Sequence, residues 1–350
     1  PTGLTLDVNN IAENEPADTV VGLLLPSDPD AGDTHTYALT DATLIPDNAN
    51  FTIEGNQLKA ASPFDFETKP AYNIELKVTD AAGLAYSNEF AVNVTDLNES
   101  PTILTLDNNA IPENAPADTV IGNLAASDPD AGDTHTFTLT DVAQHPDNAE
   151  FTIEGNQLKS TATFDFETKS GYTIQVQATD AAGLAFAMEL TVTVTDVNEV
   201  PTGLDIDLNT IPENKPTGTV VGNLVPSDPD AGDTHTYSLT DVAQHPDNVN
   251  FTIVGNQLKA TAPFDFETRS VYTIQVQGTD SGTLSIARVL HIGITNVNET
   301  PTDTALDVTA IDENEPDGTV VGKFTITDPD NSTAAVTNTE GVGEKVWQFA

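Results

Sequence analysis

A near-identical block returns every hundred residues or so, and this repeat constrains the chain more than any other feature. The connector Val194-Thr195-Asp196-Val197-Asn198-Glu199-Val200-Pro201-Thr202 recurs as Val94 to Thr102 and as Ile294 to Thr302. Pro1, Pro101, Pro201 and Pro301 mark its phase. A fixed period of this size turns one long chain into a tandem array whose units each bury a core of their own. The phase predicts units at 1–99, 100–199 and 200–299, followed by a partial fourth unit at 300–350 with a divergent tail.

Within a unit, alternation of apolar and polar residues at period two predicts strands throughout. In the first unit Leu4 to Val8 alternates, Ile11-Ala12-Glu13-Asn14-Glu15-Pro16 reads as a turn-like break, and Thr19 to Leu24 follows. Phe51-Thr52-Ile53 and Gln57-Leu58-Lys59 flank Glu54-Gly55-Asn56, a tight hairpin signal. Tyr72 to Val78 alternates, turns at Asp80-Ala81-Ala82-Gly83, and runs on from Leu84 to Val94. Roughly seven short strands with turns every eight to twelve residues describe an all-β, Greek-key, immunoglobulin-like sandwich. The fourth unit keeps this plan to Asp330 and departs at Asn331, so its tail is either disordered or completed by strands from a neighbouring chain.

Charge narrows the partners. With 55 acidic against 11 basic side chains the formal net charge is -44, which repels nucleic acid and anionic membranes. The acidic residues recur at fixed offsets among the strands, unlike those of a merely solvating tail. Cysteine is absent, so neither disulfides nor thiolate metal sites hold the units together. No apolar run reaches transmembrane length and no signal peptide precedes Pro1, so the chain reads as an excerpt of something longer that does not itself insert into a membrane.

Four acidic clusters occur once per unit. Glu13, Glu113 and Glu213 stand in the break near the start; Asp65 and Glu67, Asp165 and Glu167, and Asp265 and Glu267 stand in Phe-Asp-Phe-Glu. The connector adds oxygen-bearing side chains, and the Asp-Pro-Asp loop and Thr-Asp turn of the next unit follow. With strands running alternately up and down, the first two clusters share the lower end of one unit with the connector, and the last two line the upper end of its successor.

These residues resemble the calcium motifs of the cadherin family: Glu13-Asn14-x-Pro16, Asp65-x-Glu67, Asp96-x-Asn98-Glu99, Asp128-x-Asp130 and Asp180. The match extends from Pro1 to about Asp330 and is similar to the cadherin-like tandem repeats of large bacterial surface adhesins. The resemblance implies a linear rod of sandwiches with Ca2+ at each joint. The first joint would use Glu13, Asp65, Glu67, Asp96, Asn98, Glu99, Asp128, Asp130 and Asp180. The second would use Glu113, Asp165, Glu167, Asp196, Asn198, Glu199, Asp228, Asp230 and Asp280. The third would use Glu213, Asp265, Glu267, Asn298, Glu299, Asp328 and Asp330. Clustered hard oxygen donors suit calcium better than magnesium. Glu99, Glu199 and Glu299 stand where the family usually has Asp, so either a longer arm folds back or one ion binds differently. Asn296 replaces the leading Asp of the third connector and the fourth unit lacks a counterpart of Asp180, which makes the third site the weakest expected.

Rival readings fare worse. Asp28-Pro29-Asp30-Ala31-Gly32-Asp33 begins like an EF-hand loop, but Leu39 stands where that loop needs a bidentate Glu. His35, His135 and His235 read as solvated strand histidines on the face opposite the neighbouring aromatic residue, with no second His or Cys to make a soft-metal site. Asp65 and Glu67 form a formal glycosidase pair, yet they recur three times without an aromatic sugar platform, and no nucleophile-and-base set accompanies them. The expected function is therefore non-enzymatic: a secreted or cell-surface, calcium-dependent adhesive or spacer segment, with like chains, other surface proteins or glycans as partners. A self-assembling extracellular filament is the competing reading.

Overall fold

A computed structural model describes residues 1–308, 310–316 and 318–335. It packs as two compact units, Pro1–Asp196 and a second from Val197 onward. The first unit holds two sheet pairs in series. In the first pair β1 (Gly3–Leu6), β3 (Val20–Ser27), β6 (Gln57–Ala60) and β5 (Phe51–Glu54) form one antiparallel sheet in that order. The facing sheet runs β2 (Asn10–Ala12), β8 (Ala85–Thr95), β7 (Ala71–Asp80) and β4 (His35–Leu39).

The expected turn-like break at Ile11–Pro16 starts later than its sequence predicts. Asn10–Ala12 is not part of the turn but a short strand that crosses to the second sheet and pairs in parallel with β8, and the turn begins only at Glu13. The crossing runs so close over β3 that a Cβ on Gly22 would lie 2.2 Å from the Val8 carbonyl oxygen. Only glycine fits there. The hairpin between β5 and β6 forms as its sequence predicts, with Gly55 at φ 60°.

The core lies between the sheets. Inward positions of β7 alternate as period two requires, burying Tyr72, Ile74, Leu76 and Val78 against Leu24, Leu58, Val92 and Val94. Each such apolar side chain contributes about 1.5–3 kcal/mol on removal from water. Phe51, Phe64 and Tyr72 form an aromatic cluster with centroids 4.7–5.8 Å apart, and Phe64 thereby pins the start of the Asp65–Glu67 loop. The sequence reading missed a 3-10 helix at Pro46–Asn50. Its buried Asn48 donates to Thr40 O at 3.0 Å and accepts from Glu75 N–H at 3.0 Å, bridging the chain just after β4 to β7.

The plan repeats in β9 (Ile103–Leu106), β10 (Ala110–Pro112), β11 (Val120–Ser127), β12 (Thr136–Leu139), β13 (Phe151–Glu154), β14 (Gln157–Ser160), β15 (Gly171–Thr179) and β16 (Ala185–Thr195).

The second unit contains a third sheet pair. Its strands are β17 (Gly203–Ile206), β18 (Thr210–Pro212), β19 (Val220–Ser227), β20 (Thr236–Leu239), β21 (Phe251–Val254), β22 (Gln257–Ala260), β23 (Val271–Thr279) and β24 (Ser285–Thr295). Beyond it, β25 (Asp303–Leu306) pairs with β26 (Phe324–Asp328), and β26 with β27 (Asn331–Ala335). The point of departure at Asn331 is thus a hairpin of the same chain, where the complete repeats cross to their second sheet. The remaining tail, including the strand completion expected of it, lies outside the described residues.

Candidate metal centre

At the lower end of the first sheet pair, the turn after β2 carries Glu13, which is only 1% exposed. Its Oε2 accepts from Phe66 N–H at 2.8 Å and its Oε1 from Leu97 N–H at 2.8 Å. One carboxylate therefore joins the start of the repeat, the Phe-Asp-Phe-Glu loop and the connector. Asp65 caps its own loop, accepting from Thr68 N–H at 2.8 Å and from the Thr68 hydroxyl at 2.9 Å.

The connector is bonded to the upper end of the second sheet pair. Asn98 Nδ2 donates to Asp180 Oδ2 at 2.8 Å, and Glu99 N–H donates to Asp130 Oδ2 at 2.7 Å. The Glu99 side chain accepts from Asn14 Nδ2 at 2.7 Å. Asp180 is also held by the Leu184 and Gly183 amides. The hydrogen bond from Asn98, more than these, holds its carboxyl below the usual range.

Three groups of carboxylates result, each with oxygens within 4.8 Å of one another: Glu13, Asp65 and Glu67; Glu67, Asp96 and Asp130; and Asp128, Asp130 and Asp133. Glu67 and Asp130 belong to two groups each, so the set forms one continuous acidic chain. Burial, then the charges of Glu13, Asp96 and Glu99, pushes the Glu67 carboxyl up. Burial and Asp130 do the same to Asp96. No lysine or arginine among the described residues pairs with Glu13, Asp65, Glu67, Asp96 or Asp130.

Asp133 was absent from the sequence expectation, although it stands three residues after Asp130 just as Asp33 follows Asp30 and Asp233 follows Asp230. Its Oδ2 is buried without a hydrogen-bond partner. An orphaned anionic oxygen beside two further carboxylates is costly in a dry site and is relieved by a cation. All-oxygen, carboxylate-rich donors fit a hard divalent ion.

The histidine expectation fails. His35 and Tyr37 are two residues apart, so period two puts them on the same face, and both are half-buried with Leu39. His35, His135 and His235 bond Asp28, Asp128 and Asp228.

The residues expected at the second joint are divided between the two units. In the first unit Glu113 accepts from Phe166 N–H at 2.8 Å and Asp165 from Thr168 N–H at 2.8 Å. In the second unit Asn198 Nδ2 donates to Asp280 Oδ2 at 3.1 Å, and Glu199 N–H to Asp230 Oδ2 at 2.7 Å. At the third connector, Glu213 accepts from Phe266 N–H at 2.7 Å and Val297 N–H at 2.8 Å. Asn296 Nδ2 donates to Glu267 Oε1 at 2.9 Å, where the other connectors place an aspartate. Glu299 N–H donates to Asp330 Oδ2 at 2.6 Å. Burial and the charges of Glu213, Asp330 and Glu299 raise the Glu267 carboxyl.

Paired sheets in series, with carboxylates gathered where a connector meets the next pair, define a tandem β-sandwich protein with acidic joints. The cadherin-domain family model matches residues 108–195 and 209–295, half of the chain, and the chain belongs to the cadherin family. It is similar to human protocadherin-16, 29% identical over 250 residues covering 68% of this chain and 8% of that protein. Chimpanzee protocadherin gamma-C4 is 29% identical over 319 residues, covering 85% of this chain and 32% of the relative. The chain thus spans a small part of these proteins. Among solved structures it resembles the protocadherin gamma-B4 extracellular domain, 21% identical with a TM-score of 0.64, covering 93% of this chain and 56% of that one. Extracellular cadherin domains 3-6 of protocadherin gamma-B2 give 21% identity and a TM-score of 0.63, covering 93% and 83%. These last two likenesses bear on fold alone. The relatives named are animal proteins, and none supports the narrower comparison with bacterial adhesins. Family membership makes the chain an extracellular segment and not an enzyme. No helix among the described residues is long and apolar enough to cross a membrane.

Proposed function

We propose that the chain is a calcium-dependent adhesive segment in which Ca2+ at the connectors stiffens successive domains, divided at 1–99, 100–199, 200–299 and 300–350. The observation that carries this reading is the continuous run from Glu13, Asp65 and Glu67 through Asp96 to Asp128, Asp130 and Asp133. Calcium supplies a hard divalent charge that offsets the repulsion among these groups. Asn98, Glu99 and Asp180 brace the connector beside them, and the Glu13 carboxylate fixes the connector to its own sandwich. Ligation at the second joint rests on the repeated sequence. At the third, Asn296 removes one charge from the set.

Adhesion through like chains or other surface molecules follows from the same reading, since a stiffened segment presents its faces at a fixed distance. Small-angle scattering of the full chain in calcium and in EGTA tests it. The maximum dimension should change and the distance distribution broaden when calcium is removed; identical curves would rule the mechanism out.

A further inference from the structure

His135 Nε2 lies 2.9 Å from Asp128 Oδ2, and the pair recurs as His35 with Asp28 at 2.9 Å and His235 with Asp228 at 2.7 Å. It is well enclosed, the His135 side chain being 10% and the Asp128 side chain 3% exposed. The other Asp128 oxygen, Oδ1, accepts from Asp130 N–H at 3.2 Å. Both oxygens are therefore tethered from fixed directions, one by backbone and one by an imidazole one residue before β12. An ionised carboxylate only accepts, so the ring nitrogen that meets it carries the proton.

We propose that His135 is a positioning residue for the cation site, its Nε2–H holding the Asp128 carboxylate within reach of Asp130 and Asp133; His235 does the same for Asp228. The inference rests on the calcium reading above. A carboxylate oxygen has two lone pairs, so one oxygen accepts from the ring and still ligates an ion. Without the ring only the 3.2 Å bond from the Asp130 N–H restrains the Asp128 side chain, and each binding event has to reorder the freed oxygen. Outer partners of this kind are worth roughly 10–100-fold in metal affinity. The seven-residue spacing from Asp128 to His135 is the same in all three complete repeats, which brings the ring back onto the loop that precedes it.

The test uses the full chain labelled with 15N-histidine, and the Glu99 amide as a reporter of the first joint, because that amide is bonded to Asp130. In the wild type the His135 ring should be the Nε2–H tautomer in EGTA and remain so in saturating calcium. His135→Phe should need about 10–100-fold more calcium to shift the Glu99 amide. His135→Gln keeps a donor and should recover most of that loss, with the two variants melting within a few degrees of each other in EGTA. An Nδ1–H tautomer overturns the inference without any variant. So does a Phe variant that titrates like the wild type, or a Gln variant no better than Phe with both destabilised equally in EGTA. A wild-type Glu99 amide indifferent to calcium removes the calcium reading itself, and this inference with it.

Discussion

The side-chain amide of Asn98 donates to Asp180 Oδ2 at 2.8 Å, and so ties the connector after β8 to the turn between β15 and β16. One hydrogen bond thereby spans 82 residues of sequence and joins two sandwiches that share no strand. Asn98→Ala should weaken calcium binding at this joint by roughly tenfold, the lower end of what an outer partner contributes. The core of each sandwich should be untouched, so thermal unfolding in EGTA should barely move. Calorimetric titration checks the first statement, and an unaltered isotherm would contradict it.

Glu67 and Asp96 set a pH dependence whose sign follows from burial and crowding. Both carboxyls sit above their ordinary range in the fold, so the folded chain keeps these protons to higher pH than the unfolded chain does. Their contribution to calcium-free stability is complete below the unfolded values, near pH 4, and is lost as pH rises through the raised folded ones. Glu67→Gln should therefore melt higher than the wild type in EGTA at pH 7, on the order of a degree, with the gap closing near pH 4. The same variant should bind calcium more weakly. A lower melting point in EGTA at pH 7 would show that the crowding is not felt.

Gly122 is under a purely steric constraint: a Cβ there would lie 2.2 Å from the Asn108 carbonyl oxygen. Gly122→Ala should cost about 1–3 kcal/mol, the usual range for overpacking, by forcing the crossing between β9 and β10 off β11. Urea unfolding would register an earlier transition. A variant as stable as the wild type would mean that the crossing relaxes freely.

Asn296→Asp restores the carboxylate that the third connector lacks. Its side chain now donates to Glu267, and an aspartate there would repel that group. The variant should lose stability in EGTA and gain calcium affinity, by about tenfold for one added charged ligand. Calorimetry should then show one more tight site or a steeper isotherm. No gain in affinity would mean that the departure at Asn296 is not what weakens this site.

Much of the fold is legible along the chain because β-structure is a local code. Period-two alternation in Tyr72 to Val78 names the buried residues of β7 in advance, and Glu54-Gly55-Asn56 names its own turn. The short strand at Asn10–Ala12 is not legible, since three residues are too few to carry a period and its partner in β8 lies 83 residues away. The histidines show an error of a different kind. Face assignment by period two puts His35 beside Tyr37, and the sequence reading placed it opposite.

By itself the sequence determined the repeat, the all-β class and which acidic residues return at fixed offsets, because backbone alternation and repetition are properties of neighbours in the chain. Only the tertiary structure decided which carboxylates meet. Glu67 and Asp130 come within 4.8 Å through Asp96, and Asp133 reveals an oxygen with no partner. Those outcomes depend on where loops from two sandwiches end in space, and long-range packing of Leu58, Leu76 and their counterparts sets that position, not the residues beside each aspartate.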